Sequence, residues 1–488
     1  MRWNSRFWLS KVRGWAAGVL VASSAVVGST SLSFAGESYF IADEQSAASA
    51  SDVQPVHVPG KEAAPAYAPG YAQPGCNQCD TGCDDCCGRG WPCGCNLADM
   101  GEAHKLFDTC WMQERGIVGT GWLAQSYTWN PYQPNDKFNG PMTWTDRANE
   151  YQMNELYYSL HKPIDNEGCG WDYGWRVDTL YGTNYRWNTA AGLEENFGNN
   201  QFYGLALPQI YGEVAYNDLS VKIGHFVSPV GFYAIGTANN YFPVLPYTFQ
   251  YGEPFTHSGF LANYKVDEDT NIGGGLTKGW DNFDNSGNPN MGAILTYSKV
   301  VNDTDTFAYV GVYGREPNLS GQGFVNGPNL GFSTRYLQTL TYSRKFSDDV
   351  TGVLQSDYGE QGRAQPDGSV GRWYGLNSYL YWNQTCQLQW GLNAEWFRDD
   401  GGTRVGQVLP SFGSPNARGY ARPVGYDGSF YRLMFGPKYY FTPNIYGRTA
   451  IAADWYDGRR NRVDNSRPFD DGQRSNQQVV VFDVIATF

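Results

Sequence analysis

Charged residues are scarce in this chain of 488 residues, and long apolar runs are missing from all but its start. Asp, Glu, Lys and Arg make up 17% of the sequence, below the roughly 25% of an ordinary soluble domain. Beyond residue 35 no stretch approaches the about 18 consecutive apolar residues that a membrane-spanning helix needs. Mean hydropathy is −0.49. These values exclude a helical membrane protein.

Basic residues are outnumbered by acidic ones. The chain has 35 Lys+Arg against 48 Asp+Glu. Four of the basic residues lie before residue 14, so the remainder carries 31 against 48, a net charge of −17. A nucleic-acid partner is therefore not expected, since binding to phosphates requires a basic surface.

Aromatic residues and glycine are abundant instead. Aromatics reach 16%, with 35 Tyr and 17 Trp, and glycine occurs 59 times. A transmembrane β-barrel turns only every second residue toward lipid, so its sequence is polar on average. This composition favours an exported β-barrel.

The first 35 residues have the features of a secretory signal peptide. Residues 15–27 form a short apolar core, and Ser33, Phe34 and Ala35 form a small-x-small cleavage site. The basic residues that precede the core are Arg2, Arg6, Lys11 and Arg13. This pattern predicts cleavage after Ala35 and export.

A linker and a cysteine-rich segment follow. Residues 36–75 are rich in Ala, Pro, Ser and Gly, which predicts a disordered linker. Residues 76–116 form a cysteine-rich segment expected in the periplasm. Its disulfide candidates are Cys76, Cys79, Cys83, Cys86, Cys87, Cys93, Cys95 and Cys110. Disulfides are the expected state of an exported chain. Zinc binding by the CxxC pairs and crosslinking to other envelope proteins are the alternatives, and no metal site or cofactor is assigned.

Residues 117–488 read as a succession of sixteen strands. Their predicted ranges are 117–129, 150–160, 171–187, 207–216, 220–227, 257–267, 270–279, 291–300, 306–314, 333–345, 350–359, 371–382, 386–398, 428–441, 445–457 and 478–488. Short turns and long loops alternate between them. That alternation is typical of outer-membrane barrels, which have short periplasmic turns and longer outer loops. The predicted fold class is an all-β, antiparallel, up-and-down transmembrane barrel of about 16 strands with a disordered cysteine-rich N-terminal extension.

The last strand ends on an aromatic residue. Residues 478–488 read QVVVFDVIATF, and alternate positions from Val480 to Phe488 form one apolar face. The stretch resembles the closing strand of bacterial outer-membrane barrels, in which a terminal aromatic belongs to the signal read by the barrel assembly machinery. Phe488 is therefore the predicted membrane-insertion signal.

The third long loop, 228–256, is unusually apolar for an outer loop. Folding into the lumen or packing on a neighbouring barrel would bury it, whereas an ordinary outer loop would remain at the surface. We expect the inward fold. The residues predicted to narrow the pore are Phe232, Tyr233, Asn239, Asn240, Tyr241 and Phe242.

The sequence around this loop resembles a known family. The strand before the loop carries a G-x-F-x-x-P-x-G pattern, and the strand after it begins with E-P-x-x-H-x-G. The matching residues are Gly224, Phe226, Pro229, Gly231, Glu253, Pro254, His257 and Gly259. These patterns are similar to those of the OmpL-like family of β-barrel porins. The resemblance covers most of 117–488 and implies passive diffusion of small hydrophilic solutes.

Strand parity predicts which side chains line the lumen. The candidates are Lys222, Asp357, Gln387, Gln389, Asn393, Glu395, Arg432, Lys438, Arg448 and Asp454. Arg432, Lys438 and Arg448 would form a basic strip that faces Glu395 and Asp357. A selectivity role and a structural ion pair are equally open readings for each residue.

An outer-membrane porin is the function that these features favour. The alternative is an outer-membrane or surface β-protein with an enzymatic, structural or adhesive role. An enzyme is not expected, because none of the five histidines lies in a known catalytic motif. Expected partners are outer-membrane lipids, small hydrophilic solutes and the barrel assembly machinery, and a homotrimer is possible.

Overall fold

The computed structural model describes residues 103–166, 168–194, 197, 201–284, 288–317, 331–365, 367–406, 425–462 and 464–488. The predicted signal peptide, the linker and the cysteines from Cys76 to Cys95 lie outside these residues. Cys110 is described; it is exposed and begins a short helix.

Sixteen strands form the described part of the chain. Their bounds are β1 Val118–Trp129, β2 Tyr151–Lys162, β3 Trp171–Gly182, β4 Gly204–Tyr216, β5 Leu219–Val227, β6 Thr256–Asp267, β7 Thr270–Thr277, β8 Gly292–Asn302, β9 Asp305–Pro317, β10 Phe332–Lys345, β11 Val350–Gln361, β12 Gly371–Asn383, β13 Leu388–Asp400, β14 Gly428–Thr442, β15 Ile445–Gly458 and β16 Asn476–Thr487. Two short helices accompany them, α1 Cys110–Gln113 and α2 Tyr185–Asn188. No helix in the described ranges is long and apolar enough to span a membrane.

The strands close into one antiparallel barrel. Each strand pairs with its neighbours in the chain, and β1 pairs with β16 from Trp122↔Thr487 to Trp129↔Val480. Closure leaves no strand edge with unpaired backbone groups. The predicted all-β, antiparallel, up-and-down barrel of sixteen strands is confirmed.

One predicted strand is too long. The third was expected to reach residue 187, but β3 ends at Gly182, where φ is +156°. A Cβ atom at Gly182 would lie 2.2 Å from the Asn154 backbone oxygen. The chain turns there and forms α2, where Arg186 donates to Asp146 at 2.9 Å. The strand therefore gives way to a turn that a buried ion pair holds, and the alternation of apolar residues in the sequence does not reveal this ion pair.

The two ends of the barrel differ in the length of their connections. At the short-turn end the connections are 163–170, 217–218, 268–269, 303–304, 346–349, 384–387 and 443–444. At the long-loop end they are 130–150, 183–203, 228–255, 278–291, 318–331, 362–370, 401–427 and 459–475. The predicted alternation of short and long connections is present throughout.

Side chains alternate between the outer face of the barrel and its interior. In β14, Leu433 and Phe435 are 36% and 45% exposed, whereas Arg432 and Met434 between them are buried. The same period of two runs through β12, β13, β15 and β16. Along most of these strands the outer face is therefore apolar and the charged side chains point inward, whereas Arg372, Arg398, Asp400 and Asp457, near the long-loop end, share the outer face.

The core of the molecule lies inside the barrel. One cluster of buried apolar side chains includes Phe226 of β5, Val310 of β9, Leu337 of β10 and Phe397 of β13. These strands occupy different sides of the closed sheet. Their side chains belong to a single cluster because a chain segment fills the space between them.

The candidate functional site inside the barrel

Residues 228–255, which join β5 to β6, lie inside the barrel and are called the inserted segment below. The segment contains a 3-10 turn at Thr237–Asn239 and a π-helical turn at Thr248–Gly252. Its contacts reach β13 and β14, and β13 is eight strands away from β5 around the closed sheet. A segment that starts on one wall and bonds to the opposite wall must cross the lumen.

Arg448 of β15 anchors the first turn of the segment. Its guanidinium donates to the carbonyl oxygens of Thr237 at 2.8 Å and Asn240 at 2.5 Å. The same group pairs with Asp483 of β16, with Nε 3.0 Å from Oδ1. Both side chains are almost completely buried. The carboxylate balances the charge, and the remaining donors hold the segment.

Arg432 of β14 forms a second anchor. It pairs with Asp454 of β15, with Nη2 3.1 Å from Oδ2, and donates to the Leu245 carbonyl oxygen. Glu395 of β13 lies opposite Arg432 in register. Its carboxylate accepts from the backbone N–H groups of Tyr247 at 2.8 Å and Thr248 at 2.7 Å. These bonds cap the π-helical turn, whose first N–H groups have no helical partner.

Glu155 of β2 anchors the 3-10 turn from the other side. Its carboxylate accepts from Trp122 Nε1 at 2.8 Å, Asn184 Nδ2 at 2.8 Å and the Thr237 N–H at 2.9 Å. Glu155 is fully buried. Thr237 is thus held between β2 and β15, because its N–H donates to Glu155 while its carbonyl accepts from Arg448.

Two buried acids meet at the end of the segment. Gln355 of β11 donates to Glu253 Oε1 at 2.6 Å and to Asp357 Oδ1 at 2.9 Å, and its own oxygen accepts from the Phe232 N–H at 2.9 Å. Gly231 has φ +77°. A Cβ atom at Gly231 would lie 2.0 Å from Glu253 Oε2. Glycine is therefore required both for the conformation and for the room that the carboxylate occupies.

The residues of the sequence pattern lie where the segment leaves and rejoins the wall. Gly224 of β5 and Gly259 of β6 face each other in register with φ of +140° and +152°. Ser228 and His257 Nε2 are 3.1 Å apart, and His257 Nδ1 is 3.1 Å from the Gly279 oxygen. The pattern therefore describes how the segment turns into the lumen, and it carries no information about a solute.

The long-loop end covers the upper side of the segment. The Thr143 N–H donates to Gln250 Oε1 at 2.9 Å, Tyr251 donates to the Pro141 oxygen at 2.9 Å, and Arg404 Nε donates to the Tyr251 oxygen at 2.8 Å. Residues of loops 130–150 and 401–427 therefore hold the segment in place on its side toward the long loops.

The lower side of the segment, toward the short-turn end, contacts solvent. Five residues of the segment are not buried: Phe232, Ala234, Ala238, Asn239 and Tyr241. Tyr241 and Phe232 approach Tyr381, near the end of β12, and the Ala238 oxygen accepts from Tyr446, near the start of β15. We call the solvent-contacting space beside these residues, at the short-turn end, the vestibule.

Tyrosine side chains of the segment pack inside the barrel. Tyr233 packs against Phe249 and Tyr379 with ring centroids 6.0 and 5.7 Å apart. Burial raises the pKa of the Tyr233, Tyr241 and Tyr247 hydroxyls well above the usual range. These hydroxyls are therefore neutral at physiological pH and add no charge to the lumen.

The structure divides the predicted lumen residues into two groups. Seven of them point inward and are buried: Lys222, Asp357, Asn393, Glu395, Arg432, Arg448 and Asp454. The other three are half-buried and near the short-turn end: Gln389 and Lys438 have inward parity on β13 and β14, and Gln387 lies in the turn before β13. Asp454 and Asp483 neutralise Arg432 and Arg448 within the wall. Of the basic strip expected from parity, Arg432 and Arg448 are thus in ion pairs with neighbouring strands, and the selectivity role of the strip stays a prediction.

The predicted pore-narrowing residues all belong to the inserted segment. Tyr233, Asn240 and Phe242 are buried, Phe232 and Tyr241 are half-buried, and Asn239 is exposed. Sequence reasoning missed Glu155, Gln355 and Asp483. Asp483 has a local signal, because it is the one charged residue of β16, stands within the apolar run from Val479 to Ala486 and has inward parity. Glu155 and Gln355 have none, since their partners lie on distant parts of the chain.

Comparison with known proteins gives one family. A family model described as "Putative beta-barrel porin-2, OmpL-like" matches residues 116–488. No curated protein matches the chain.

Several solved structures resemble the barrel. OprB of Pseudomonas putida is 11% identical, covering 77% of this chain and 95% of its own, with a TM-score of 0.49. The channel DcaP of Acinetobacter baumannii is 11% identical, covering 76% and 97%, with a TM-score of 0.48. OmpT of Vibrio cholerae in a trimer form is 10% identical, covering 76% and 99%, with a TM-score of 0.44. Likenesses this distant carry no argument about what enters the lumen.

Proposed function

We propose that the inserted segment sets the size of the passage in this chain, which belongs to the OmpL-like family of putative beta-barrel porins and is a bacterial outer-membrane porin. In an outer-membrane barrel the short turns face the periplasm and the long loops face outward. The vestibule under the segment then opens to the periplasm. The anchored segment lies between that vestibule and the outer loops.

The observation that carries this proposal is the way the segment is held. Its backbone bonds to Glu155, Glu395, Arg432 and Arg448 on four strands of the wall. A loop held at so many points has a fixed position, so the narrowest part of the lumen has a fixed size. A passage of fixed size admits small hydrophilic solutes by passive diffusion and excludes larger ones.

We propose transport without catalysis. Ser228 and His257 are within hydrogen-bond distance, as a nucleophile and its base must be. Both are fully buried at the base of the segment. A substrate carbonyl has no route to the serine hydroxyl, so the pair is better explained as a structural bond that fixes the turn into the lumen.

Planar bilayers test the porin function. The purified mature chain is added to one side of a membrane, and current is recorded in concentrated potassium chloride. We expect discrete steps of small conductance, because the segment occupies most of the lumen at mid-height. Heat-unfolded protein from the same preparation is the control. A folded, inserted barrel that never produces steps would contradict the proposal.

Two further predictions from the sequence belong to this proposal. Phe488 acts as the insertion signal, supported by its paired backbone bonds to Gly121, both 2.9 Å. Assembly into homotrimers stays a prediction, which crosslinking of membranes that contain the native barrel would check.

A further inference from the structure

The vestibule under the inserted segment has aromatic rings on its inner surface. Tyr241 and Tyr381 have ring centroids 4.9 Å apart, and Phe232 lies 6.4 Å from Tyr381. All three rings are half-buried. A Cβ atom at Gly391 of β13 would lie 2.2 Å from the Tyr241 ring. The glycine thus makes room for a ring that keeps part of its surface open to the vestibule.

A row of polar side chains runs directly below these rings. Asn383 faces Gln389, Gln389 faces Lys438 and Lys438 faces Arg448 across β12, β13, β14 and β15. Directly opposed residues on one face of a sheet have Cβ atoms about 5 Å apart. The first three are half-buried, so their amide and ammonium groups can reach a molecule in the vestibule.

Lys438 is the cation of this row that no carboxylate balances. Asp483 neutralises Arg448, whereas Lys438 has no ion-pair partner within the described residues. Its ammonium lies 4.8 Å from the Tyr440 ring centroid and 4.4 Å from that of Tyr446. Aromatic faces hold the ammonium group in place and leave its charge available.

We propose that this vestibule binds sugar acids. The inference rests on the proposed porin function and names a solute class for it. The C–H face of a pyranose ring stacks on the Tyr241 and Tyr381 rings, its hydroxyls bond to Gln389 and Asn383, and its carboxylate bonds to Lys438. A neutral sugar would leave Lys438 unused, and an apolar acid would leave the two amides unused. A hydroxylated ring with one carboxylate uses all three features.

Binding is measured on the full-length barrel in detergent by saturation-transfer NMR, with glucuronate and glucose as probes. We expect saturation of the ring protons of glucuronate. Lys438→Gln should weaken glucuronate binding about tenfold, since a charge-assisted hydrogen bond is lost, and leave glucose binding unchanged. Tyr381→Leu should weaken both about fivefold, because stacking is lost.

Matched controls lie on the outer face. Lys299→Gln makes the same charge change on β8, and Tyr374→Leu removes an outward ring from β12, the strand that carries Tyr381. Neither should change binding. The absence of glucuronate saturation, or a Lys438→Gln barrel that binds it as the wild type does, would overturn the proposal.

Binding is read without ion flow, which separates the two proposals. A barrel that conducts and does not bind glucuronate overturns the sugar-acid site and leaves the porin function intact. A barrel that binds glucuronate through Lys438 and does not conduct supports the site and overturns the porin function.

Discussion

At the scale of single residues, buried charges hold a loop in place. Arg448 and Asp483 are both buried, and the guanidinium divides its donors between the carboxylate and two carbonyl oxygens of the inserted segment. A buried pair adds little net stability by itself, but removal of one partner leaves an uncompensated charge. We therefore interpret the pair as fixing the position of the inserted segment.

Replacement of Arg448 by Met should both destabilise the barrel and widen its passage. Asp483 would remain buried without its partner, at a cost of about 3 kcal/mol in the free energy of unfolding. The first turn of the segment would lose three hydrogen bonds, two to carbonyl oxygens and one to the Thr237 hydroxyl. Urea unfolding and single-channel conductance measure the two effects.

A double variant separates these effects. Arg448→Met together with Asp483→Leu removes the stranded charge, so stability should recover in part while conductance stays raised. Arg460→Met, at an exposed position, is the control and should change neither. Unaltered conductance in the Arg448→Met barrel would show that the segment is held without this anchor.

At the scale of elements, the ends of the inserted segment are determined by glycines and the groups packed against them. Gly231 has a positive φ and contacts Glu253, which in turn bonds to Gln355 of β11. Gly368, in an outer loop, has a similar φ of +82°, but a Cβ atom added there would have no other atom within 4 Å. The two glycines separate the cost of backbone conformation from the cost of a steric clash.

Gly231→Ala should be more harmful than Gly368→Ala. The outer-loop variant should lose only the about 1–2 kcal/mol of a left-handed conformation. The Gly231 variant must also displace the Glu253 carboxylate and break its bond to Gln355, so we expect an additional loss of about 2 kcal/mol. Urea unfolding of both variants checks the difference, and equal losses would show that Glu253 moves aside freely.

At the scale of the whole molecule, barrel closure depends on the last residues of the chain. β16 pairs with β1 along eight residues, and Phe488 exchanges two further backbone bonds with Gly121. The Phe488 ring lies over Gly121, where an added Cβ atom would be 2.6 Å from the ring. The centroids of the Phe488 and Phe107 rings are 6.1 Å apart. The terminal aromatic thus covers the seam between first and last strands.

Phe488→Ala should reduce the amount of barrel assembled in the outer membrane, whereas Phe488→Tyr should assemble as the wild type does. The tyrosine keeps an aromatic ring over Gly121, and the alanine leaves the seam uncovered. Heat-modifiable gel migration of membrane fractions measures the folded barrel. Equal assembly of the alanine variant would remove the insertion role assigned to Phe488.

Strand number, alternation and the order of short and long connections follow from the sequence by itself. Each depends on residues close together in the chain: a period of two, turn residues between runs, and a terminal aromatic. The apolar character of residues 228–255 also indicates that this loop must be buried. These local signals were sufficient for the barrel and for the family.

The tertiary structure alone decided which charges meet inside the barrel. Asp483 neutralises Arg448 because the register of β15 against β16 places the two residues directly opposite each other, and Glu155 reaches Thr237, 82 residues away, because the segment crosses the lumen. The alternation of residues along a strand predicts which side chains point into the barrel, but it does not predict which residues they pair with. Lys438 differs from Arg432 and Arg448 in this pairing, because Asp454 and Asp483 lie directly opposite the two arginines, whereas Gln389 and Arg448 lie opposite Lys438.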